Sequence, residues 1–86
     1  MSLKQEAKKE IQRIEKILQT LKLKNRKGKK LLELIKAYFQ DSKYFFQKKK
    51  YLQAFEAAVI CWAYVDAGLH LKVFSVGKEI RKWFTC

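Results

Sequence analysis

Proline is absent from the 86 residues and glycine occurs only three times. Without proline nothing obliges a helix to stop or kink, and with so little glycine the primed turns that close β-hairpins have almost nothing to be built from. An all-α domain is the fold class this leaves. The two cysteines are Cys61, inside an apolar segment, and Cys86, the last residue. Neither sits in a Cys-x-x-Cys or histidine context, so no disulfide framework, zinc site or thiol nucleophile is expected, and a reducing cytoplasm is the expected compartment. His70 is the single histidine. With neither an acid nor a cysteine expected at a ligand spacing from it, no metal, cofactor or catalytic base is predicted. A Gly-rich phosphate loop is also missing, and the chain reads as a non-enzyme.

Acidic residues are scarce, eight against twenty lysines and arginines, for a net charge of +12. An excess of that size suits a polyanionic partner such as nucleic acid or an anionic membrane surface, and equally serves solubility. The charge-free apolar run Ala57 to Val65 falls short of the roughly 20 residues that span a bilayer. No transmembrane segment is expected, and the polar start Met1-Ser2-Leu3-Lys4 offers no signal peptide.

What is present is an apolar fraction of 49% with 14% aromatics, too much for a disordered chain. At this length one core is the limit, and only roughly 60–65% of the unfolded surface can be buried, which leaves self-association open. Leu3, Ala7, Ile11, Ile14, Leu18 and Leu21 recur at helical spacing and predict a first helix over about 3–23, with Ser2 as N-cap, Glu6 and Glu10 near the positive end of its dipole, and Lys22 and Lys24 near the negative end. Asn25-Arg26-Lys27-Gly28 predicts a reversal through residues that tolerate left-handed or turn geometry. A second helix follows over about 29–48, its apolar face formed by Leu31, Leu32, Ile35, Tyr38, Phe39, Ser42, Phe45 and Phe46. The third, over about 51–71, carries Tyr51, Phe55, Ala58, Trp62, Val65 and Leu69 and is predicted to be the most buried. Residues 72–86 form a tail with Val73, Phe74, Val76, Ile80, Trp83 and Phe84, interrupted at Gly77, that predicts a short helix or a docking segment.

Tyr38-Phe39-Gln40-Asp41-Ser42-Lys43-Tyr44-Phe45, Tyr51-Leu52-Gln53-Ala54-Phe55-Glu56-Ala57 and Trp62-Ala63-Tyr64-Val65-Asp66-Ala67-Gly68 together resemble an archaeal family catalogued as domain of unknown function 357. The resemblance implies an antiparallel up-down-up three-helix bundle and no activity. The chain departs from the family's pattern at Lys49-Lys50, where members often carry Gly-Asp, and at Lys72, where glycine is usual.

Two surfaces stand out. In an up-down-up bundle the first connection and the tail share a pole, gathering Lys22, Lys24, Arg26, Lys27, Lys29 and Lys30 with Lys72, Lys78, Arg81 and Lys82, away from Lys48, Lys49 and Lys50. Lys29 and Lys30 open a helix whose dipole is already positive there, a conflict that a bound anion relieves and that long lysines also relieve by extending into water. Trp83 and Phe84 lie outside the three-helix pattern and are the candidate interaction surface, with capping of the bundle, burial in a dimer and insertion at a membrane as their alternatives. Asp66 ends a long apolar run and must find a partner or stay at the rim. The other aromatics on helical stripes are read as core. A protein-interaction or adaptor module, with a protein partner or a second copy, is the first functional expectation; accessory RNA binding through the basic pole is the alternative.

Overall fold

The computed structural model describes residues 2–84, so Cys86 lies outside the described residues. The chain is mostly helical, with three long helices packed against each other: α1 (Leu3–Thr20), α2 (Lys29–Gln47) and α3 (Tyr51–His70). A pair of two-residue strands, β1 (Lys22–Leu23) and β2 (Phe74–Ser75), and a short α4 (Lys78–Arg81) complete it.

α1 starts where expected. Ser2 Oγ accepts from the Gln5 amide at 3.1 Å while Gln5 Oε1 accepts from the Ser2 amide at 3.2 Å, a reciprocal cap that satisfies two donors the helix leaves free. Its end differs from the expectation of a helix to residue 23. Thr20 Oγ1 donates to the Ile17 carbonyl at 3.1 Å and Leu21 turns extended, at ψ 130°. From Leu21 to Lys24 the sequence alternates apolar and cationic with period two, and Lys22–Leu23 pairs antiparallel with Phe74–Ser75. Lys22 and Lys24 therefore do not neutralise the end of α1, whose last turn holds no basic residue.

The strand pair places the first connection beside the segment that leaves α3. Two glycines permit this by lacking a Cβ rather than by conformational freedom. Gly28 is buried with φ −84°, and a Cβ there would stand 2.8 Å from Val73 Cβ. A Cβ on Gly68 would stand 2.0 Å from Phe74 Cδ2. The left-handed positions fall instead on Lys49 (φ 62°) and Lys72 (φ 60°). Each closes the same C-terminal motif. After α2, the Lys49 and Lys50 amides donate to the Phe46 and Phe45 carbonyls; after α3, the Lys72 and Val73 amides donate to those of Leu69 and Gly68. The two positions where the resemblance implies glycine keep the glycine geometry with lysine in it.

α3 contributes Ala54, Ala57, Ala58, Cys61, Val65 and Gly68 to the interior, twice as many residues as either other long helix, as expected. They are small, which lets α2 lie close to it. Ile35 and Phe39 from α2, Ile14 and Ile17 from α1, and Val73, Phe74, Ile80 and Phe84 from the tail fill the remainder, with Tyr38 and Trp62 at its edge. By length and composition α3 is apolar enough to cross a membrane, a test that the core helix of a soluble fold passes equally. Here its small-residue stripe is core instead. Ser42, read as part of the apolar face of α2, is fully buried and donates to the Ala54 carbonyl at 2.7 Å, stitching α2 to α3.

A cation-rimmed apolar groove as candidate interaction site

Asn25 Oδ1 accepts from the Lys27 amide at 2.9 Å and caps a single 3₁₀ turn, Arg26–Gly28, that runs directly into α2. This turn lies against Val73, because the Lys24 amide donates to the Val73 carbonyl at 2.8 Å and Gly28 packs on the Val73 side chain. The first turn of α2 and the exit of α3 thereby become the two walls of a groove of about 500 Å³, lined by Lys27, Gly28, Lys30, Leu31, Leu34, Leu71 and Val73. Val73, 8% exposed, belongs to its floor, while Leu34 and Leu71 stand 45% and 70% exposed.

Lys22, Lys24, Arg26, Lys27, Lys29, Lys30 and Lys72 are all exposed, and none has an acidic partner within ion-pair distance among the described residues. The pairs that do form are Arg13–Glu10, His70–Asp66 and Lys82–Glu79. α2 opens with neither an acidic residue in its first turn nor a side-chain cap, so the positive end of its dipole adds to the lysines.

Arg81 and Lys82, expected with these cations, are engaged on the flank instead. Arg81 Nη1 donates to the Phe84 carbonyl at 2.7 Å and Lys82 lies 3.5 Å from Glu79. Phe84, expected on an interaction surface, is only 7% exposed, its ring 5.1 Å from that of Trp62. Trp83 stays partly exposed at 6.0 Å from the same indole. The tail docks in cis because Trp62 gives it an aromatic seat, and that seat is held by Glu10, whose Oε1 accepts from Trp62 Nε1 at 2.7 Å. Glu10 Oε2 also takes Arg13 at 3.3 Å.

The residues that could carry chemistry hold ordinary structural roles. Asp66 does have a partner, His70, with Oδ1 and Nε2 3.4 Å apart across one helical turn, which corrects the expectation that no acid lies at a ligand spacing from this histidine. No group of three or more metal-ligating side chains exists among the described residues. Cys61 is fully buried, its thiol donating weakly to the Ile35 carbonyl at 3.5 Å, and burial pushes its pKa up to about 12. A protonated, enclosed thiol is no nucleophile.

Leu34 and Leu71, the walls of the groove, were not singled out from the sequence. Both fall off the apolar stripes read from the sequence, Leu34 between Glu33 and Ile35 and Leu71 between His70 and Lys72.

A family described as "Protein of unknown function (DUF357)" matches residues 4–74. The crystal structure of an Archaeoglobus fulgidus protein of the same family superposes with a TM-score of 0.77 at 29% identity, covering 87% of this chain and 93% of that one. No curated protein matches.

Proposed function

The chain belongs to the DUF357 family, and since that membership names no activity, we propose from the surface itself that it is a non-enzymatic protein-interaction or adaptor module of the cytoplasm. The observation that carries this reading is the groove between the start of α2 and the exit of α3, where Leu34 and Leu71 stand open beside a buried floor. Exposed leucine is unremarkable singly, but two at one concavity supply the desolvated centre that protein interfaces are built around. The reading takes the helices as an antiparallel up-down-up bundle. The short links, the bond from Ser42 to Ala54 and that from Cys61 to Ile35 support this course. The groove then replaces Trp83 and Phe84 as the contact surface.

A photo-crosslinking residue at Leu71, in the native host, tests the proposal. Discrete protein adducts that survive high salt, and that a crosslinker at Lys9 on α1 does not give, are expected. Adducts removed by nuclease instead would move the function to the second reading, accessory RNA binding. That reading is supported by the seven cations without acidic partners among the described residues and calls for phosphate contacts whose affinity drops steeply with salt. Anisotropy titration of short RNA and DNA at low and physiological salt, with Arg26, Lys27, Lys29 and Lys30 neutralised as a control, measures it directly.

A further inference from the structure

We infer that the occupant of this groove is an acidic amphipathic helix of a partner protein, an inference that rests on the groove being a protein-binding surface. Three features of the site choose the occupant. Its lining is aliphatic, Leu31, Leu34, Leu71 and Val73, with no aromatic residue on which a nucleobase would stack. It is concave, which suits the ridge of leucine-like side chains that a helix presents at i, i+3, i+4 and i+7. Its rim is cationic: Lys27 in the 3₁₀ turn, Lys30 on α2 and Lys72 next to Leu71, with no acidic partner among the described residues.

Acidic residues flanking the apolar ridge would answer those lysines and supply the negative charge missing from the first turn of α2. A second copy of this chain is the poorer occupant, because two molecules of net charge +12 repel at the pole where the charge is concentrated. A flat anionic membrane would meet the lysines but leave the floor at Val73 unfilled.

The test uses the whole chain and a fluorescein-labelled amphipathic helix of about 18 residues, leucine on one face and glutamate on both flanks, read by anisotropy beside versions with glutamine or lysine in place of glutamate. Saturable binding of the glutamate peptide is expected, with the glutamine version about tenfold weaker and the lysine version unbound. Leu34→Ser and Leu71→Ser, at exposed positions, should each weaken binding about tenfold. Lys27→Gln/Lys30→Gln should remove the preference for glutamate over glutamine, and Leu52→Ser on α3 should change nothing. Circular dichroism establishes that each variant stays helical.

Equal binding of the glutamate and glutamine peptides overturns the acidic partner while leaving a protein-binding groove. Failure of every peptide, with protein adducts still formed from Leu71, overturns the helical occupant alone. A dimer in sedimentation that Leu34→Ser dissociates, or vesicles of anionic lipid bound in preference to the peptide and lost in Leu71→Ser, overturns it in favour of those occupants.

Discussion

Lys49 and Lys72 hold backbone conformations that cost an L-residue about 1 kcal/mol and glycine almost nothing. Their amides nevertheless close the ends of α2 and α3, so the motif forms with the penalty unrelieved. Lys49→Gly and Lys72→Gly should each raise the urea-unfolding free energy by about 0.5–1 kcal/mol, the loosening of the unfolded chain by glycine being the smaller effect. Lys49→Val, branched at Cβ, should lower it. A second residue-scale expectation concerns Cys61. Its thiol ionises near the ordinary value of 9.0 when unfolded and only at about 12 when folded. The unfolded state therefore loses this proton first, and the contribution is complete below the unfolded value and is lost as pH climbs from 9.0 towards 12. The stability difference between wild type and Cys61→Ala, measured near pH 8 and again at about pH 10.5, should shrink at the higher pH. Other titrating groups are common to both proteins and cancel.

At the scale of elements, the seat of β2 on α3 is Gly68, where Phe74 lies so close that a methyl group must displace it. Gly68→Ala should cost about 1–3 kcal/mol, and amide exchange should show β1 and β2 separating before the long helices open. Besides the direct packing of α4 on α1, one polar link ties α1 to the tail. Glu10 accepts from Trp62, and Trp62 carries Phe84 and Trp83. Glu10→Ala leaves the indole N–H without its acceptor in a half-buried place and should lower stability by about 1–3 kcal/mol. Shifted tryptophan fluorescence would accompany that loss.

Across the whole molecule, twenty basic residues against eight acidic ones leave the folded chain repelling itself. Among the described residues, few of the cations are answered by an acid at close range. Screening should therefore stabilise it: thermal unfolding midpoints should rise between about 0.02 M and 0.3 M sodium chloride, as the Debye length falls from roughly 20 Å to 6 Å. Neutralising Lys27, Lys29 and Lys30 together should flatten that rise, because they stand at the positive end of α2.

Helical periodicity is a local property, so the three long helices, the Ser2 cap and the greater burial of α3 were determined by the sequence alone. The end of α1 was not, because Lys22–Leu23 adopts strand geometry only when Phe74–Ser75 is there to pair with it. The same pairing made Gly28 and Gly68 points of close approach. Phe84 became core through the tail's return to Trp62, and Leu34 and Leu71 became two sides of one groove. Each of these depends on residues distant in the chain meeting at one place, and spacing along the sequence does not encode that meeting. Tertiary structure decided them.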